Sequence, residues 1–332
     1  MSAAAQLAYG NARVRARKSR LLSSAVLVAL ASAEHPELTI DGWRDVDADA
    51  DATPLVWLVY ARLIADYDAV IRAYPAHTTL LHALVRRHEL ENVKLACRVV
   101  VSGADPDRWL RLWRPMGRLE TVSRDGCASA SSLPQLTAAL GRTPFADIAG
   151  VVLRVHAADL SAAELAFDRW GSRMLAEAAD ALPPHEDAAR DLVCGVVCER
   201  DAAVIERAIG PLGVAPQAAI RMASMLGRAL GAAGARVLTE WSSGGGAPLT
   251  LPRRLSAERP VVRSFAELRR AIHAGRREAC RRVFAGHPFS AAPAVALVLL
   301  REDEARALIS IGELRARHAS VADSARVLDL DG

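Results

Sequence analysis

Residues 55–74 read LVWLVYARLIADYDAVIRAY, and this stretch decides how the rest of the chain is read. Val56, Tyr60, Leu63, Tyr67, Val70 and Tyr74 follow one another at alternating steps of four and three. Such steps return to one face of a helix with 3.6 residues per turn, whereas a half-buried strand alternates every second residue. Arg62, Asp66 and Arg72 lie off the stripe. Pro75 ends it, because proline donates no N–H and its ring clashes with the preceding turn.

The same helical periodicity extends in both directions. Toward the C-terminus it predicts a helix over 78–101 with a bend near Glu89, closed by Gly103. A short helix carrying Trp109 and Trp113 follows, then a loop over 125–132 and helices over 133–140 and 144–154. Ser161 with Glu164 three residues on has the form of a capping box, opening a helix that runs to 182. Pro183-Pro184 forces a break before a helix over 186–209. A helix over 216–230, a Gly- and Pro-rich loop over 241–260, and helices over 264–284, 292–317 and 321–328 complete the chain. Toward the N-terminus lies an acidic loop over 35–54. Before it comes one long helix over 4–33, with Leu7, Val14, Leu21 and Val28 at heptad spacing. All three thirds read as helical hairpins, so the expected class is all-α. Thr143-Pro144-Phe145 and His287-Pro288-Phe289 hint at a weak internal repeat.

Composition agrees. Of 332 residues, 52% are apolar and 24% charged, an ordinary globular balance that excludes wholesale disorder. Aromatic residues are only 5%, too few for a sandwich of short strands. The net charge of +4 permits an acidic partner or lipid headgroups without demanding nucleic acid. Five widely spaced cysteines do not make a disulfide framework and suit a reducing compartment. Cys194 and Cys198, one helical turn apart in an apolar run, read as small buried hydrophobes.

Reactive motifs fail one by one. Asp45, Asp47, Asp49 and Asp51 alternate like the start of a calcium loop, but Ala50 and Val56 stand where glycine and glutamate are needed. Ser243-Gly244-Gly245-Gly246 lacks the Gly-Lys-Ser/Thr ending of a phosphate-cradling loop. His88-Glu89 lacks the second histidine of a zinc protease helix, and no Gly-x-Ser-x-Gly occurs. No catalytic, cofactor-binding or metal-binding residue is assigned. Arg13, Arg17 and Arg20 share one helical face and are candidates for contact with an acidic partner or a membrane surface. The order basic residues, apolar run 21–30, small residues 31–33 has the form of a secretory signal, which a single long helix explains equally well.

The run from Tyr9 to Leu22, YGNARVRARKSRLL, resembles the opening of the C subunit, called d in eukaryotes, of the V/A-type rotary ATPases. It covers both halves of the apparent signal, so the helix is expected to stay attached. Glu89-Leu90-Glu91-Asn92-Val93-Lys94 with Arg98 is similar to a second family pattern, in which an acidic residue, Asn and a later Arg share a helix. Gly117-Arg118-Leu119, Leu165-Ala166-Phe167-Asp168-Arg169-Trp170, and Glu304 with Arg306 and Ile311 add to the likeness. The second half departs from it: Arg190 stands where the family has Asn, and Ala307 and Ile309 replace Asn and Arg.

The resemblance implies three related helical bundles, 1–115, 116–212 and 213–332, arranged as a funnel about a pseudo-threefold axis. It implies a non-catalytic rotor part that couples the central-stalk subunits to the membrane proteolipid ring for ATP-linked proton or sodium transport. Such a part would be cytoplasmic, peripheral to the membrane and a monomer within its complex, with no nucleic acid and no cofactor. Asn92, Lys94 and Arg98 would serve structure or assembly. The alternative is a cytoplasmic helical scaffold or regulatory paralogue outside any rotary complex.

Overall fold

The computed structural model describes residues 3–32, 53–156, 159–242, 245–286 and 289–316. It is all-α: helices α1 (Ala3–Lys18), α2 (Ser24–Ser32), α3 (Thr53–Ala73), α4 (Thr78–Ser102), α5 (Pro106–Leu110), α6 (Arg124–Ala128) and α7 (Leu133–Leu140) are followed by α8 (Ala146–Val155), α9 (Leu160–Asp180), α10 (Asp187–Ile209), α11 (Pro216–Arg221), α12 (Leu226–Ser242), α13 (Phe265–Val283) and α14 (Ala292–Ala316). The helix expected over 321–328 and residues 35–52 of the acidic loop expected over 35–54 lie outside the described residues, and the loop's last two positions, Thr53 and Pro54, already belong to α3.

The stripe on α3 is where the sequence puts it. Leu63, Tyr67, Val70 and Tyr74 are buried, and α3 packs against α14, α4 and α1. The C-terminal helix thus lies beside the first ones. α10 contacts α9, α13 and α14, and α4 contacts α9. Buried apolar residues gather into two clusters. The larger joins α1–α3 and the first half of α4 to α9 and the helices that follow it. The smaller holds Leu90, Val93 and Cys97 of α4 against α7, α8 and Phe167 of α9.

Several boundaries differ from expectation for one shared reason: a distant carboxylate takes the N–H groups at a helix end. The first helix is two, not one. Its break after Lys18 is held by Glu304 of α14, whose Oε2 accepts the Leu22 N–H at 2.7 Å, while the Ser23 hydroxyl accepts from Val26 N at 3.3 Å and starts α2. The heptad stripe is broken with it: Val14 is buried but Val28 is exposed. The helix expected over 216–230 stops at Arg221, because buried Asp201 of α10 accepts from Met225 N at 2.7 Å and Leu226 N at 3.0 Å and caps a new helix, α12. Glu186 accepts in the same way from Ala291 N, at 3.0 and 2.9 Å, just before α14, whose start at Ala292 is the expected one.

Other corrections are local. Asp159, not Ser161, caps α9, accepting from Ala162 N at 2.9 Å. α4 runs from Thr78 to Ser102 as one helix through Glu89, and Gly103 ends it at φ 61°, a left-handed conformation that glycine adopts without strain. The loop over 125–132 contains α6, capped by Ser123. The loop over 241–260 contributes Leu249–Thr250 to a small antiparallel pair with Val261–Val262. Gly10, inside the Tyr9–Leu22 run, has its own reason. A Cβ there would stand 2.8 Å from the Tyr74 ring and 2.9 Å from the Ala73 carbonyl oxygen, so α1 reaches the end of α3 only through glycine.

Candidate functional site

Two recesses are lined by clusters of charged groups. One is a half-enclosed pocket of about 350 Å³ lined by Tyr60, Arg87, His88, Glu199, Arg200, Arg276 and Glu302 among others. The second is an open groove of about 1070 Å³ between α13, α14 and the α1–α2 corner. Glu199 and Arg306 line both, so the two are neighbours.

Their anchor is the run Arg301-Glu302-Asp303-Glu304 on α14, which follows an unbroken apolar stretch. Buried Glu302 accepts from Tyr67 Oη, from Arg87 Nη2 at 2.6 Å and through His88 Nε2 at 2.9 Å. Burial pushes its carboxyl up, but the Arg87 charge and the His88 and Tyr67 contacts outweigh it and hold the group well below the usual carboxylate range. His88 is pushed down, because burial outweighs the attraction of Glu302. Arg301 Nε lies 2.8 Å from Asp66 Oδ2, and its Nη1 is 2.5 Å from Glu304. Asp303 meets Arg276 at 3.0 Å and Arg306 at 2.5 Å. Glu199 on α10 faces His273, Arg276 and Arg306; burial raises its carboxyl, yet these three bring it down to about 2.

The predicted residues do not converge on one spot. Arg17 turns inward to Asp66, joining the Arg301–Glu304 pair. Arg13 lies over the Tyr9 ring at 5.6 Å, and Arg20 is exposed, its carbonyl accepting from Arg301 Nη1 at 3.3 Å. On α4, Asn92 brackets one residue of the following loop. Its Nδ2 donates to the Arg114 carbonyl at 2.9 Å, and its Oδ1 accepts from Arg114 N at 2.8 Å. Lys94 bonds Asp168 of α9 at 2.9 Å and Glu91 at 2.7 Å, and Arg200 and Arg207 of α10 join the same aspartate. Arg98 donates to Glu164 of α9 at 2.5 Å. What sequence reading missed is the α14 run. Four consecutive charges directly after an unbroken apolar stretch are a signal that buried partners lie elsewhere in the fold.

Among the described residues no group of three or more His, Cys, Asp or Glu is placed to hold a metal ion, and no helix is long and apolar enough to cross a membrane. All five cysteines are buried free thiols; burial pushes Cys97, Cys127 and Cys280 up to about 12.

The family model for the ATP synthase (C/AC39) subunit matches residues 10–197, more than half of the chain, and the chain belongs to that family. It is also similar to the C subunit of the A-type ATP synthase of Methanothermobacter thermautotrophicus, 28% identical over 145 residues. That similarity covers 42% of this chain and 37% of the relative, so the chain spans little more than a third of that protein's length.

Proposed function

We propose that this chain is a non-catalytic rotor subunit of a V/A-type ATPase or ATP synthase, coupling the central stalk to the membrane proteolipid ring during ATP-linked ion transport. In this reading the segments 1–115, 116–212 and 213–332 are related bundles around a pseudo-threefold axis. The protein sits as a single copy on the cytoplasmic face of the membrane, with Arg13 and Arg20 on its outward docking side. Family membership supports this. The observation that carries it is the ion-pair chain from Arg17 through Asp66 and Arg301 to Glu304, which ties α1 and α3 to α14. A torque-bearing part must resist shear between its first and last helices, and close-packed interiors with fixed polar ties deform little. Asn92 and Lys94 serve this stiffness from within, and Arg98, at the surface of the same helix, serves structure or assembly.

The test uses inverted membrane vesicles from cells with and without the gene. Removing the protein is expected to abolish ATP-driven acidification or sodium uptake while head-group ATP hydrolysis persists, and the purified chain hydrolyses no ATP. Ion pumping that continues undiminished would sink the rotor reading and favour a scaffold outside any rotary complex.

A further inference from the structure

The groove between α13, α14 and the α1–α2 corner has two unlike walls. On α13, Ala266, Arg269, Arg270, His273, Arg277 and Arg281 line it, at spacings that keep them on one helical face. Opposite stand Leu21, Leu22, Leu27 and Leu300. The carboxylates that line it are already matched. Glu199 is ion-paired with His273, Arg276 and Arg306, Asp303 with Arg276, Arg277 and Arg306, and Glu304 with Arg301. The cations are in excess. Among the described residues Lys18, Arg270 and Arg281 meet no carboxylate; the Lys18 ammonium rests 4.5 Å from the Phe284 ring.

We propose that this groove docks an amphipathic helix of a partner protein, with its apolar stripe on the leucine wall and glutamates or aspartates along the flank that faces α13. The proposal rests on the assembly reading only for the existence of a partner. Spacing decides the class of ligand. Arg270 and Arg281 are separated by three turns of α13, about 16 Å at 1.5 Å per residue, too far apart to converge on a single phosphate. An anionic ligand that engages both must be extended, and the leucine wall selects one with an apolar side. A helix lying along α13 presents acidic residues at matching turns while burying its other face, the helix-in-groove mode of recognition. Unpaired basic side chains on the rim steer such a partner and set its register more than they add raw affinity.

The experiment uses the full chain and a fluorescein-labelled helical peptide of about five turns, leucines at i, i+3, i+4 and i+7 and glutamates on the flanks, beside a twin with lysines for the glutamates. Fluorescence anisotropy is expected to show saturable binding of the glutamate peptide, weakened by salt, and none of the lysine twin. Arg270→Glu with Arg281→Glu should lower affinity at least tenfold with an unchanged melting temperature, and Arg270→Gln with Arg281→Gln should lower it less. The proposal is overturned by absence of binding, by equal binding of both peptides, or by a double variant that binds as the parent does. Two further outcomes also overturn it. If inorganic triphosphate displaces the peptide as readily as unlabelled peptide does, the groove is a general anion site. If the peptide binds only after Asp45, Asp47, Asp49 and Asp51 are changed to serine, the chain's own acidic segment is the occupant. Peptide binding by the isolated chain is independent of vesicle coupling, so either reading can fail alone.

Discussion

α4 and α14 are both 25-residue helices with several buried polar side chains, yet they use them differently. On α4 the partners of Glu89 and Asn92 are backbone groups and a hydroxyl a short way along the chain. Glu89 accepts from Thr121 N at 2.5 Å, Thr121 Oγ1 at 2.7 Å and Val122 N at 2.8 Å, and Asn92 brackets Arg114. On α14 the partners come from the first third of the chain: Tyr67, Arg87 and His88 for Glu302, Asp66 for Arg301, Leu22 for Glu304. The first pattern fastens a loop to its own helix. The second closes the chain on itself. α4 lies inside the span matched by the family model and α14 beyond it, and the two devices meet on α4, where Arg87 and His88 hold Glu302 just before Glu89 and Asn92 fasten the loop.

The largest effect should come from Glu302. In Glu302→Ala, Arg87 is left as a buried charge without its counter-ion, and Tyr67 and His88 lose their shared acceptor. Removing one partner from a buried pair typically costs about 3–5 kcal/mol. Urea unfolding should show the midpoint falling by that equivalent with little change in slope. A loss below about 1 kcal/mol, the range of exposed pairs, would mean that α14 does not close the fold through its charges.

Acid should weaken the same device. Glu302 and Glu199 are held below their ordinary value of 4.5, the latter at about 2. A carboxyl with a depressed folded-state pKa contributes its full stability above its unfolded value and loses it as pH falls through the folded one. His88, held below 6.5 by burial, acts with the same sign, because unfolding lets it take up a proton. The urea midpoint should therefore decline modestly below about pH 6.5 and steeply below about pH 4.5. Glu302→Ala should flatten the lower part of the curve. An identical acid limb in parent and variant would place the sensitive groups elsewhere.

On α4, Asn92→Ala leaves the Arg114 N–H and C=O without their side-chain partner. A buried backbone group deprived of its partner costs about 1–3 kcal/mol, so a loss of about 2 kcal/mol is expected, smaller than at Glu302. The damage should also stay local: amide exchange should speed up around residues 106–122 while α14 stays protected. Uniform loss of protection would show that the local fastening is part of the global closure.

How much of this was legible beforehand follows the same division. The α3 stripe and the Gly103 stop depend on spacing within one element, and the structure has them where the sequence does. The break after Lys18, the start of α12 at Leu226 and the cap of α14 depend on Glu304, Asp201 and Glu186. Each carboxylate acts on backbone N–H groups from another part of the chain, and no local pattern announces that. Heptad spacing favoured continuous helix through Ser19 to Ser23, and a tertiary hydrogen bond overrode it. The pairing of Arg17 with Asp66 is the same kind of case, since the residue reads as outward on its own helix and is turned inward by a partner on α3.

The smallest expected effect is at Arg98, and it separates stability from assembly. Its guanidinium bonds Glu164 at 2.5 Å, but the side chain is 36% exposed, so water and salt screen the pair. Exposed pairs contribute about 0–1 kcal/mol, and Arg98→Ala should lie near the bottom of that range, with a double-mutant cycle against Glu164 giving a coupling that shrinks with salt. Lys94 and Asp168 have the same partner helices and a similar chemistry but are buried, so their cycle should give a clearly larger coupling. If the two cycles agreed, burial would not be what distinguishes the interior ties from the surface ones. If instead Arg98→Ala leaves unfolding untouched but lowers ion pumping in vesicles, its free energy is exerted on a partner and not on the fold, which is what a docking residue on an otherwise structural helix must do.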